Sequence, residues 1–533
     1  MKNGEYLWWQ SGIIYQVYPR SFQDSNGDGV GDLTGIAKRL DYLEKLGVDA
    51  IWLSPIYPSP MADFGYDISD YVDIHPLFGN LAEFDRLLEA VHTRGMKLIL
   101  DFVPNHTSDQ HPWFIESRSS RDNPKRDWYL WRDANPNGDV PNNWLAAFGG
   151  SAWEWDNKTG QYYYHAFLKE QPDLNWRNPD VQNAMLSNMK FWLERGVDGF
   201  RVDVIWHMIK DEQFRDNPEN PNYESHMPTC DKVISVYSTD QPEVHDIIRM
   251  MRRLLDEYHE RMMVGEIYLP VQKLVAYYGV NNSGAHLPFN FQLVTLPWKP
   301  SVLALAIAEY ERSLPSGGWP NWVLGNHDQS RIASRIGAEQ ARVAAMMLLT
   351  LRGTPTIYYG DEIGMKDVGV PLDQIKDPQG LNMPDKNLSR DPARTPMQWD
   401  ASLFGGFTEG RPWLPLSRDL QQRNVVFQAA DADSMFSLYS KLIQVRNDEP
   451  SLSVGDYTHV FADHQLLVFT RHHRDDKFLI ILNLTHKPAY FHQQTHDFTG
   501  SVIVSTHRDL EGNRVGGTIL VGGDEGLLIK VES

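Results

Sequence analysis

Short apolar runs that end in polar residues alternate with amphipathic stretches along most of the chain. The runs are Ile13–Tyr18, Ala50–Ser54, Lys97–Phe102, Gly199–Asp203, Met262–Ile267, Leu287–Phe291, Trp322–Gly325 and Thr356–Tyr359. Between them, Leu33–Lys45, Leu81–Arg94, Val181–Arg195, Val244–Arg261 and Ala338–Leu351 repeat their apolar positions with a helical period. Eight strands separated by helices predict an α/β fold, a (β/α)8 TIM barrel. The spacing breaks once, between the third and fourth strands. Residues 105–172 are rich in Asn, Asp, Trp, Tyr and Gly and too long for a plain loop, so they predict an inserted subdomain. The barrel then takes residues 1–104 and 173–452, closing with a helix near Ser434–Arg446. From residue 453 to 533 short alternating runs such as Leu466–Arg471 and Phe478–Asn483, with Gly and Asp turns, predict a C-terminal all-β domain.

Composition narrows the function. A formal net charge of -20 argues against nucleic acid or an anionic membrane as partner. The 17 Trp and 23 Tyr exceed what a plain core needs; they suit flat surfaces on which sugars stack, and a large barrel core is an equally good home for them. One cysteine, Cys230, excludes an intramolecular disulfide and a cysteine zinc cluster, and reads as an inert loop side chain. The N-terminal stretch lacks the apolar run of a signal peptide, and no window approaches a membrane span. The expectation is a cytoplasmic monomer or homodimer.

The candidate chemistry sits where barrels keep it, at the C-terminal ends of the strands. The fourth run continues as Gly199-Phe200-Arg201-Val202-Asp203-Val204-Ile205-Trp206-His207. Arg201 and Asp203, two apart, share one face of a strand, where opposite charge keeps the pair together. The third strand ends in Asp101-Phe102-Val103-Pro104-Asn105-His106, the fifth runs through Glu266, and the seventh leads into Asn326-His327-Asp328. Glycoside hydrolysis commonly uses one ionised and one protonated carboxyl. Asp203 beside Arg201 fits the ionised nucleophile, and Glu266, with no cation next to it in sequence, fits the acid/base. Asp328 would be a third carboxylate gripping sugar hydroxyls, with His106 and His327 as donors to the same sugar.

The segments DFVPNH (101–106), GFRVDVIWH (199–207), GEIY (265–268) and NHD (326–328) resemble, in order, four core regions of the α-amylase family, glycoside hydrolase family 13. QPDLNW (171–176) resembles its fifth. The resemblance implies a barrel with an insertion after strand three, a C-terminal β-sandwich, and α-retaining catalysis. In it Asp203 is nucleophile, Glu266 acid/base and Asp328 transition-state stabiliser. Phe64-Gly65-Tyr66-Asp67-Ile68 and the arginine segment Ser389–Trp399 are similar to the exo-acting α-glucosidase and oligo-1,6-glucosidase branch. That likeness implies that Tyr66 lines the sugar site and that Asp67 and Arg394 clamp the terminal glucose of a small α-glucoside, with Arg390 as the rival arginine. Val204, next to the nucleophile, goes in related enzymes with α-1,6 activity, while the wording of residues 205–211 departs from that branch. A transglucosylase or trehalose synthase would use the same intermediate. A catalytically inactive sugar-binding or transporter-associated relative would be expected to lack one of the carboxylates.

Asp24, Asn26, Asp28 and Asp32, with the Val30 carbonyl, place oxygen donors at alternate positions around Gly29. This resembles the start of a calcium loop without its glutamate, since the twelfth position is Gly35. It predicts one structural Ca²⁺ or Mg²⁺, away from the chemistry.

Overall fold

The computed structural model describes residues 6–492 and 499–532. All eight expected runs form strands, in a parallel sheet: β1 (Ile14–Val17), β2 (Ala50–Leu53) and β3 (Lys97–Phe102) come first. The chain then leaves the barrel for β4 (Trp131–Arg132), β5 (Trp153–Asp156) and β6 (Gln161–Tyr164). It returns for β7 (Gly199–Val202), β8 (Met262–Gly265), β9 (Leu287–Pro288), β10 (Asn321–Val323) and β11 (Thr354–Tyr358). The order β10-β11-β1-β2-β3-β7-β8-β9 closes into a barrel through a parallel bridge between Asn290 and Trp322. Closure removes both sheet edges.

The helices follow their periodicity, except that the stretch from Val244 is helical only to Asp256 and another is broken in two. The single helix expected over Leu33–Lys45 is two, Leu33–Lys38 and Leu40–Leu46, because Arg39 adopts φ -106°, ψ 6°. The guanidinium of Arg39 leaves the helix line to bind Gln23 and stack on Trp399. Asp32, Asn80 and Asn178 each cap a helix with the side-chain oxygen, the role that short polar residues play best.

The insertion is a small antiparallel sheet, β4-β6-β5, around its own apolar cluster of Leu130, Trp144, Trp153 and Tyr164. Its first residue, Asn105, is held by a buried Lys210–Asp173 ion pair of the barrel and is bonded to both partners. The C-terminal strands are β12 (Asp456–Ala462), β13 (Leu466–His473), β14 (Asp476–Asn483), β15 (Ala489–His492), β16 (Thr499–Ser505), β17 (Arg514–Gly516), β18 (Thr518–Val521) and β19 (Gly526–Val531). Six of them form a sheet, with the β15–β18 ribbon beside it. Strand alternation divides the core there. Leu466 and Val468 face the ribbon with Phe491 and Ile519, whereas Leu467 and Phe469 join the barrel's core. No helix among the described residues is long and apolar enough to cross a membrane.

Candidate active site

The strand ends and the loops beyond them enclose a cavity of about 550 Å³, within the size range of small-molecule sites. Asp203, Glu266 and Asp328 all line it, with Tyr66, His106 and His327. The insertion contributes Phe148, Phe167 and Gln171, and the loop after β11 contributes Arg390.

Arg201, rising from β7, is the electrostatic centre of the inner wall. Its Nη1 donates to Asp101 at 2.9 Å and to Asp203 at 2.7 Å, and its Nη2 lies 2.6 Å from Glu266. Glu266 has no cation next to it in sequence, but the barrel folds Arg201 against it. One guanidinium is divided among three buried carboxyls, so it cannot hold Asp203 low by itself. Burial pushes the Asp203 carboxyl well up against the pull of Arg201, and pushes Glu266 up likewise, with Asp328 adding to the latter. The two groups face each other and titrate as a unit. Asp328 behaves oppositely. Burial acts to raise it, but the His327 ring when protonated at low pH, and Arg390 and Arg394 at every pH, overcome burial and hold it well below the usual carboxylate range. The cavity thus holds one firmly ionised carboxylate beside a raised pair, and one proton shared by that pair leaves one carboxyl ionised and the other protonated.

Glu266 also accepts from the Val204 backbone amide at 3.0 Å. That amide belongs to a residue at φ 35°, ψ 49°, a left-handed conformation that valine rarely adopts. Such strain costs on the order of 1–3 kcal/mol and gathers at functional turns. His327 is clasped between Tyr18 and Tyr66, whose ring is only 5° from parallel to it. Its Nδ1 meets Gln16, and its Nε2 meets the Tyr66 hydroxyl at 2.7 Å. Tyr66 in turn donates to Asp101 at 3.0 Å. Burial lowers both cavity histidines, His106 to about 4 and His327 further, so both are neutral hydrogen-bonding groups at neutral pH.

Two expected site residues are replaced by neighbours. Asp67 does not line the cavity: its carboxylate accepts from Ser59 Oγ at 2.8 Å and from the amides of Ala62 and Asp63 at 2.8 and 3.0 Å. It folds the loop that presents Asp63, whose Oδ1 receives Arg390 Nη2 at 2.7 Å. Arg394 likewise stands behind the wall, donating to the His327 carbonyl at 2.7 Å and to Asp328 at 2.9 Å. Arg390 faces the cavity and reaches Asp63 and Asp328 together. Asp63 and Phe167 escaped the sequence reading, and Gln171 entered it only as the first residue of the QPDLNW segment. Asp63 had a signal, a second carboxylate three residues before Tyr66, whereas Phe167 and Gln171 are placed only by the fold of the insertion. Cys230 also lines the cavity, and burial pushes its thiol up to about 12.

The chain matches the α-amylase catalytic-domain family over residues 16–455. It belongs to the α-amylase family. It is 41% identical over 529 residues to an oligo-1,6-glucosidase of Parageobacillus thermoglucosidasius, covering 92% of this chain and 93% of that protein. An α-glucosidase of Apis mellifera is 41% identical, covering 89% and 85%. Among solved structures, an α-glucosyl transfer enzyme, XgtA, superposes with a TM-score of 0.94 at 38% identity, over 99% of this chain and 100% of that one. The trehalulose synthase MutB of Pseudomonas mesoacidophila gives a TM-score of 0.90 at 34% identity, over 98% and 99%.

The loop from Asp24 to Asp32 lies apart from this cavity. Its side-chain oxygens turn onto the loop's own amides: Asp24 accepts from Asn26, Gly27 and Gly29, Asn26 from Asp28, and Asp28 from Val30. Asp32 accepts from Ser25 and Gly35. Among the described residues no three His, Cys, Asp or Glu side chains converge as a metal-ion cluster. The donors present are all hard oxygens, the kind Ca²⁺ and Mg²⁺ take.

Proposed function

We propose that this protein is a retaining, exo-acting α-glucosidase that releases α-glucose from the non-reducing end of small α-glucosides. The observation that carries it is the Asp63–Arg390 pair on the wall of the cavity that Asp203 and Glu266 also line. A carboxylate and a guanidinium so placed present acceptors and donors to the hydroxyls of one terminal glucose. An open cleft would be needed to pass a longer chain through.

In the first step an Asp203 carboxylate oxygen attacks the anomeric carbon while the glycosidic bond breaks. The protonated Glu266 gives its proton to the departing oxygen, leaving a glucosyl ester on Asp203. In the second, Glu266 takes a proton from water, the water oxygen bonds to the anomeric carbon, and Asp203 departs. Two inversions give α-glucose. Asp328, ionised throughout, supports the positive charge that develops on the sugar ring. A second reading, α-glucosyl transfer to a sugar, follows the same first step and is supported by the likeness to XgtA.

Glucose release from isomaltose, maltose, trehalose and sucrose, followed by NMR beside Asp203→Ala, tests the reading. Initial α-glucose, lost in the variant, supports it; initial β-glucose, or no turnover of any of the four, overturns it. We further infer that the enzyme works in the cytoplasm and that the Asp24–Asp32 loop takes one hard divalent cation. A chelator should then lower the melting temperature and added Ca²⁺ or Mg²⁺ restore it, and indifference to both would refute the site.

A further inference from the structure

Asp377 opens a short helix, Pro378–Asn382, in the loop that follows β11. An aspartate at that position ordinarily caps its helix by accepting from first-turn amides. Asp377 makes no such bond. Its carboxylate is fully buried and turned across the loop instead. Oδ1 accepts from Arg390 Nε at 2.9 Å and Nη2 at 2.6 Å, and Oδ2 accepts from the Arg390 backbone amide at 2.8 Å. The brace is reciprocal. Asp391 accepts from the amides of Lys376 at 2.7 Å and Asp377 at 3.1 Å. The two limbs are pressed together between these carboxylates: a Cβ added to Gly380 would lie 2.6 Å from Ser389 Cβ.

This brace decides where Arg390 points. A guanidinium carries its five N–H donors in one rigid plane. With one edge pinned by Asp377, the remaining donors are aimed at Asp328, 3.0 Å from Nη1, and at Asp63, 2.7 Å from Nη2. Asp377 thus gives up its helix cap to meet Arg390, with Arg394 Nη1 a further 3.9 Å contact, and such a local departure is where a functional constraint is expected.

We propose that Asp377 is a positioning residue for glucose recognition: it touches no sugar, and it acts by fixing the Arg390 fork against Asp63 and Asp328. The proposal rests on Asp63 and Arg390 being the glucose grip. It extends the site beyond the cavity wall, since Asp377 does not line it.

A double-mutant cycle tests it, because a residue that acts only through Arg390 has no effect once Arg390 is gone. The variants are Asp377→Asn, Arg390→Ala and their combination, with KM, kcat and the inhibition constant of glucose measured for each. A misplaced binding group costs up to about 100-fold. Asp377→Asn is expected to raise KM and the glucose inhibition constant about tenfold, with a smaller fall in kcat, and to add less than twofold in the Arg390→Ala background. Effects that multiply in the double variant, or a single variant within twofold of wild type, overturn the proposal. Asp377→Glu keeps the charge but moves it by one methylene. It should weaken glucose similarly while a melting curve shows that it still folds, which keeps the test open if the Asn variant misfolds. A damaging Arg390→Ala with a harmless Asp377→Asn sinks the brace alone. A harmless Arg390→Ala sinks the glucose grip with it.

Discussion

The exchange of Asp67 for Asp63 is open to a sharp test, because the two carboxylates sit four residues apart with opposite duties. Asp63 meets Arg390 at 2.7 Å on the cavity wall, and Asp67 meets only the loop. A hydrogen bond involving a charged group contributes about 1.5–3 kcal/mol. At 1.4 kcal/mol per tenfold, removing that acceptor from the bound sugar lowers kcat/KM roughly 10- to 150-fold. Asp63→Asn should show that loss, together with weaker inhibition by glucose, at a melting temperature close to wild type. Asp67→Ala instead strands the Ala62 and Asp63 amides and the Ser59 hydroxyl. Each buried orphan costs about 1–3 kcal/mol, so the protein should be several kcal/mol less stable. Whatever activity Asp67→Ala loses should follow from loosening the loop that carries Asp63. The assay is steady-state kinetics on the preferred disaccharide, glucose inhibition, and a melting curve for each variant. A stable Asp67→Ala that has lost glucose affinity, beside an unimpaired Asp63→Asn, would refute the assignment and return the clamp to Asp67.

Arg394→Lys should lower kcat more than it raises the glucose inhibition constant, because Arg394 touches Asp328 and the His327 carbonyl but not the cavity; equal effects on both would argue against this. Asp361, fully buried near Arg331, has its carboxyl raised to about 7, by burial first. A raised carboxyl favours the fold below the unfolded value near 4 and loses that contribution as pH rises toward 7. Asp361→Asn should therefore gain stability relative to wild type between pH 4 and pH 8, by up to about 4 kcal/mol at 1.36 kcal/mol per unit, and a pH-independent difference would contradict the assignment. Val204→Thr should change the ratio of isomaltose to maltose hydrolysis within the range of about 1–3 kcal/mol that one wall residue commands, and an unchanged ratio would remove Val204 from specificity.

How much of this was legible in the chain depends on the length of the chain segment that fixes each residue. Asp203, Glu266 and Asp328 stand at or just beyond the ends of barrel strands, so the alternation that predicts the barrel also predicts their convergence. Arg201 was legible as a partner of Asp203, two residues away on one strand face. Its contact with Glu266 was not, because that requires β7 beside β8, with Arg201 in register with Val264. That Asp63 and Arg390, and not Asp67 and Arg394, line the cavity was hidden for a related reason. Asp63 and Asp67 flank the same Gly65-Tyr66 turn, and so do Arg390 and Arg394 the same short segment; side-chain type cannot say which of two like charges faces the sugar. The loop's hydrogen bonds decide it. Met61 and Phe64 adopt positive φ, at 65° and 48°, so the backbone curls around the Asp67 carboxylate and turns Asp63 outward. The Asp67 carboxylate accepts from two amides and a hydroxyl of its own loop, whereas Asp63 receives the Arg390 guanidinium on the cavity wall. A charged residue chosen from a motif is therefore better judged by what the local backbone needs from it than by its distance from the motif's centre.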